Sequence, residues 1–107
     1  MHIEAAALMV DDYDDGIEFF VSILGFELVE DAPSLTNAGR PKRWVVVRAP
    51  HAQTGLLLAQ AVGDRQQRGV GDLVAGRVGF FLRVDDFESS YRRMIERGVE
   101  FVTEPKD

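Results

Sequence analysis

Val10-Asp11-Asp12-Tyr13-Asp14 and Val84-Asp85-Asp86-Phe87-Glu88 are one pattern written twice, 74 residues apart. Leu24-Gly25-Phe26-Glu27-Leu28-Val29 and Arg97-Gly98-Val99-Glu100-Phe101-Val102 repeat a second pattern at a separation of 73, so one deletion within the intervening helix reconciles the two. In the first copy Ile17, Phe20, Val21 and Leu24 fall at i, i+3, i+4 and i+7, the spacing of one helix face, and Gly25 stands at the C-cap. In the second copy Phe87, Tyr91, Met94 and Ile95 mark the same face, and Gly98 ends it. Apolar runs precede both helices, Ile3 to Val10 and Val78 to Val84, and read as strands buried on one or both faces. Phe26 to Glu30 and Val99 to Thr103 read as the strands that follow. A strand, an acidic helix start, an amphipathic helix, a glycine cap and a strand therefore occur twice in the same order.

Only the first copy continues. The stretch from Asp31 to Lys42 holds two prolines, Asn37 and Gly39 and reads as a loop. Trp44 to Val47 is a third strand, Pro50 to Thr54 a turn, and Gly55 to Ala61 a fourth strand. The composition then shifts to Gly, Gln, Asp and Arg, so the organisation is a first module at 1–61, a linker at 62–77 and a second module at 78–107. With an offset of about 73, partners of the third and fourth strands belong near positions 116–121 and 128–134, beyond Asp107. The second sheet is thus expected to have two strands where four are called for, with an open edge that a second copy of the chain would cover as a homodimer.

The bulk composition narrows the classes. With 46% hydrophobic and 28% charged residues, 107 residues make one ordinary domain with a modest core. No apolar run approaches the roughly 20 residues of a membrane span, and no cleavable leader opens the chain, which points to the cytoplasm. The absence of cysteine agrees and excludes disulfides and thiolate chemistry. A net charge of -6 with scattered basic residues argues against a nucleic-acid partner.

Motifs that would carry chemistry are few. His2 and Glu4 point the same way on a strand and offer two donors of a metal site, but a terminal His2 and a turn His51 in solvent are the plainer reading. Asp11, Asp12, Asp14 and Asp15 fail the calcium-loop spacing at Tyr13 and Ser22 and suit a helix N-cap and first turn instead, as do Asp85 and Asp86. Gly69-Val70-Gly71-Asp72-Leu73-Val74 lacks the third glycine of a dinucleotide fingerprint and follows no strand. No Gly-x-Ser-x-Gly elbow exists.

The run Val10-Asp11-Asp12-Tyr13-Asp14-Asp15-Gly16-Ile17-Glu18-Phe19-Phe20, followed by Ile23-Leu24-Gly25-Phe26, resembles the opening of the vicinal oxygen chelate superfamily, which includes glyoxalase I, bleomycin-binding proteins and extradiol dioxygenases. Gly79-Phe80-Phe81-Leu82-Arg83-Val84-Asp85-Asp86-Phe87 and Gly98-Val99-Glu100-Phe101 extend the resemblance over most of the chain. It implies an α+β fold of paired βαβββ modules whose sheets form a cleft, with the second module incomplete here. It also implies a divalent metal held on the inner sheet faces, at positions that fall on Ala5, Leu57 and Gly79, with a fourth ligand from a last strand beyond Asp107. None of those three side chains can donate a lone pair, so no metal and no cofactor are expected.

A pocket reading remains. Ala5, Ala7 and Met9 share one strand face, and Gly79, Phe81 and Arg83 share another. Small residues at Ala5 and Gly79 leave room for an apolar group beside Leu57. Met9, Trp44 and Phe81 are placed to stack on a planar or hydrophobic ligand, with Arg48 or Arg83 at an anionic end. The competing reading has these residues simply filling a core. The expected function is metal-independent binding or sequestration of a small molecule. The alternatives are a metal-dependent lyase, isomerase or dioxygenase with rearranged ligands, or a fragment without a function of its own.

Overall fold

The computed structural model describes residues 1–72, 74–75 and 77–103. Strand β1 (Ala5–Val10) leads into helix α1 (Tyr13–Ile17), which runs on as a π-helical segment (Glu18–Ile23). Strands β2 (Glu27–Leu35), β3 (Pro41–Arg48) and β4 (Gly55–Gln60) follow, and then helices α2 (Gly63–Gly69) and α3 (Phe87–Glu96). The strands lie in the order β1-β4-β3-β2, with β1 parallel to β4 and the other pairs antiparallel. This is the mixed α+β class expected, with one complete βαβββ module.

Alternation along β3 and β4 sends Val45, Val47 and Leu58 to the helix side, where all three are buried. Leu8, Val10, Tyr13, Ile17, Phe20, Val21, Phe26 and Leu56 close around them. Each of the three buried side chains contributes about 1.5–3 kcal/mol of hydrophobic stabilisation. Gly16 brings α1 onto this core, since a Cβ there would stand 3.2 Å from both Leu58 Cδ1 and Val10 Cγ1.

The repeat is visible in the helix ends. Asp12 accepts a hydrogen bond from the Asp15 amide at 3.0 Å, and Asp86 accepts one from the Ser89 amide at 3.3 Å. Gly25 and Gly98 both close their helices at φ 84°. The one-residue difference between the copies has a structural form as well. In the second copy the Val99 amide donates to the Met94 carbonyl at 2.9 Å; in the first, the Phe26 amide reaches one residue further back, to the Phe20 carbonyl, at 2.8 Å. An extra residue cannot enter an α-helix without rotating one face off the sheet, and a π-helical stretch absorbs it.

The two halves meet at the end of the first helix. That helix has no basic residue in its last turn. Arg97 Nη1 donates to the Ser22 carbonyl, and the Arg93 guanidinium lies beside Gly25, so α3 supplies the cations that suit a helix C-terminus. At the other end, Arg43 on β3 fastens the hairpin to α1. It grips Asp31 with Nε and Nη2 at 3.1 and 2.7 Å and Asp14 with Nη1 at 2.9 Å, and its guanidinium carbon lies 5.2 Å from the centre of the Tyr13 ring. The Asp31 carboxyl is held below its ordinary value chiefly by the Arg43 hydrogen bonds.

Two expectations are corrected. Val78–Val84 and Val99–Thr103 form no strand among the described residues. The observed sheet order gives the reason: β1 and β2 lie at opposite edges, each held only by β4 or β3, and no strand among the described residues after β4 stands in for β3 or β4 to hold their counterparts. The loop read at Asp31–Lys42 shrinks to residues 36–40, because β2 runs through Pro33 to Leu35. Pro33 is tolerated there because β2 is an edge strand. The stretch read as a linker carries α2.

Candidate functional site

The sheet's second face is free of α1. Alternation places Ala5, Ala7 and Met9 on it from β1, Leu57 and Ala59 from β4, and Trp44, Val46 and Arg48 from β3. Ala7 pairs with Leu57, which pairs with Val46, and Met9 pairs with Ala59, so these residues form rows across the sheet. Trp44 is 39% exposed at the margin of this face. Met9 lies against Gly69 of α2, where a Cβ would collide with its terminal methyl. Ala5, Met9, Trp44 and Leu57 therefore share a surface, as alternation required.

Arg48 and Phe81 meet elsewhere, in a cavity of about 290 Å³ at the sheet end where β3 finishes and β4 begins. Phe20 and Phe26 come from the first helix and its exit, Leu56 from β4, and Phe80, Phe81 and Leu82 from the second half. Arg48 is the only charged residue among its described lining residues and has no hydrogen bond or ion pair among the described residues. The hydroxyl of Thr54, also in the lining, is committed to the Ile3 carbonyl at 2.6 Å. The chemistry available is an apolar, aromatic-walled space with one unsatisfied cation, suited to an apolar body with an anionic end.

Phe20, Phe26 and Phe80 were absent from the expected site. Phe80 was hidden by the strand reading, since alternation sends Phe80 and Phe81 to opposite faces. Without a ladder to fix the segment, both reach the cavity together with Leu82. Gly79 and Arg83 lie exposed in the same segment and are not among the residues that line this cavity.

The metal positions implied by the family resemblance can be tested against these residues. Ala5 and Leu57 do share a face on adjacent parallel strands, as a ligand pair would. Their side chains are a methyl and an isobutyl group, Gly79 has none, and these positions do not fit the family's metal. Among the described residues no three of His, Cys, Asp and Glu converge as a metal-holding group. His2 Nε2 lies 3.2 Å from Glu4 Oε2, an exposed pair one donor short of a site, and His51 is exposed in the turn before β4. No helix among the described residues is long and apolar enough to cross a membrane.

Comparison with known proteins agrees with this architecture. An uncharacterised protein of Shewanella frigidimarina (strain NCIMB 400) is 43% identical over 102 residues, 94% of this chain and 73% of that protein. The uncharacterised protein YurT of Bacillus subtilis (strain 168) is 32% identical over 111 residues, 98% of this chain and 81% of that protein. Among solved structures, TnmS3, an antibiotic binding protein from Streptomyces sp. CB03234, superposes with a TM-score of 0.77 at 31% identity, covering 100% of this chain and 78% of that one. The family model of the Glyoxalase/Bleomycin resistance protein/Dioxygenase superfamily matches residues 2–107, and the chain belongs to that superfamily.

Proposed function

We propose that this chain binds and sequesters a small, largely apolar molecule with an anionic group, without a metal ion. The observation that carries this reading is the cavity walled by Phe20, Phe26, Phe80 and Phe81, with Arg48 as the one unpaired charge among its described residues. The open face bearing Ala5, Met9, Trp44 and Leu57 is the other side of the same sheet and offers a second apolar surface for such a ligand, while Gly79 and Arg83 lie exposed beside Phe81 in the segment that closes the cavity. The antibiotic-binding description of TnmS3 supports a binding role, as does the lack of donor side chains at Ala5, Leu57 and Gly79. The same reading takes the protein to act in the cytoplasm as a homodimer, the partner covering the unpaired segments of the second half.

Two dyes of similar apolar size test it, anilinonaphthalene sulfonate with its anionic end and Nile red without one. Replacing Arg48→Gln weakens the anionic dye about tenfold or more, the worth of a hydrogen bond to a charged group, and leaves the neutral dye unchanged. Phe81→Ala weakens both. Equal losses for the two dyes in the Arg48→Gln protein would remove Arg48 from the site. One tightly bound equivalent of nickel, zinc or manganese per chain would replace this reading with a metal-dependent enzyme.

A further inference from the structure

We infer that the chain carries a second binding site, for a small polar molecule bearing an oxyanion, at the opposite end of β3 from the aromatic cavity. A cleft of about 530 Å³ opens between the 36–40 hairpin loop, the start of β3, the end of β4 and the first turn of α2. Arg40, Lys42, Gln60 and Gln66 line it together with Tyr13 and Thr36, and among the described residues no aspartate or glutamate does. In a chain with 18 acidic and 12 basic residues, a large cleft with two cations and no carboxylate is an electrostatic exception, and a low-dielectric recess strengthens its attraction for an anion.

The contrast with the neighbouring arginine shows which cations are available. Arg43 is committed to Asp31 and Asp14, whereas the side chains of Arg40 and Lys42 have no hydrogen bond or ion pair among the described residues. Asp12, which shares the adjoining recess with Lys42, accepts the Asp15 amide as the α1 cap.

The cleft is also built. The Thr36 amide donates to the Arg40 carbonyl at 2.8 Å and its hydroxyl accepts from the Arg40 amide at 3.0 Å, so the loop fixes the backbone that carries Arg40. Gln66 accepts the Val62 amide through its carbonyl oxygen at 2.8 Å, which leaves its NH2 group free to donate. An arginine fork, an ammonium and an amide are the donor set for phosphate or carboxylate oxygens. Lys42 and Arg48 are separated by about 20 Å along the strand, at roughly 3.3 Å per residue, so the two sites are distinct.

The test is titration of the whole chain at low salt with inorganic phosphate and, separately, with citrate, followed by amide chemical shifts. Saturable shifts at residues 36–42 and 60–66, with a dissociation constant of about 1 mM or tighter, support the site. The Arg40→Gln/Lys42→Gln double variant then binds at least about tenfold more weakly, while a control at the exposed Arg92 of α3, Arg92→Gln, binds as the wild type does. Neither replaced side chain has a partner among the described residues, so circular dichroism stays unchanged. A response to phosphate alone assigns the phosphate class, and one to citrate alone assigns carboxylates. Shifts that fail to saturate, that survive the double variant, or that centre on Arg48 overturn the inference.

Discussion

Helix α1 with its π-helical continuation and helix α3 begin on equivalent aspartates and end on equivalent glycines, yet they lie in different surroundings. The 74-residue offset equates Leu8, Val10, Tyr13, Gly16, Ile17 and Phe20 with Leu82, Val84, Phe87, Ser90, Tyr91 and Met94. In the first copy those residues lie around Val45, Val47 and Leu58, which β3 and β4 supply. In the second they line an open groove of about 270 Å³, and no residue of α3 is buried. The aromatic residues of the second copy cover one another instead, Phe87 stacking on Tyr91 at 5.9 Å and Tyr91 meeting Phe101 at 4.8 Å. Capping and periodicity are local and suffice to start, shape and stop a helix; filling the space beneath it requires strands from elsewhere in the chain.

The largest effect expected from this difference is on core truncation. Leu58→Ala should cost about 2–5 kcal/mol, the usual cost of a cavity in a packed core, in urea unfolding followed by Trp44 fluorescence. Met94→Ala, on the rim of the groove, should cost less than about 1 kcal/mol, since the truncated atoms already face open space. Comparable losses at the two positions would mean that the second half is as tightly packed as the first. The Gly16 and Ser90 pair sharpens the point. Gly16→Ser places an atom against Leu58 and Val10, two core side chains with little room to move, and should cost about 1–3 kcal/mol by overpacking. Ser90→Gly meets no such neighbour and should cost only about 0.5 kcal/mol, through helix propensity.

The same divide explains what the sequence disclosed. Asp12, Gly25, Asp86 and Gly98 were legible because caps and αL glycines are decided within a few residues. The strands at 78–84 and 99–103 were misread because a strand exists only by virtue of its neighbours, and apolar alternation says nothing of whether they are present. The passage of β2 through Pro33 was hidden for a related reason, since only the sheet order reveals β2 as an edge. Around the aromatic cavity, Arg48 and Phe81 were named from their chemistry, while Phe20 and Phe26 look like core from periodicity alone and Phe80 emerges only once its segment is unpaired. Asp14 read as a helix-dipole charge, and its pairing with Arg43 depends on a β3 register that no local pattern announces.

The caps are where the two copies should behave alike. Asp12→Ala should cost about 1 kcal/mol, a typical value for removing an N-cap acceptor. At Asp86 the same role is readable through pH, because hydrogen bonds from the Ser89 hydroxyl and then its amide hold the carboxyl below the ordinary value of 3.8. A carboxyl whose folded value is depressed lends its full stabilisation above the unfolded value and loses it as pH falls through the folded one. The start of α3 should therefore loosen only below about pH 4, seen as a shift of the Asp86 carboxyl carbon together with the Ser89 amide in acid titration. Asp86→Asn keeps an acceptor but removes the titration, so the Ser89 amide should then stay in place through the same range. If that amide moves as far in the Asn variant as in the wild type, the acid sensitivity of α3 comes from the loose packing beneath it and not from its cap. The second copy would then differ from the first even in the local feature they share.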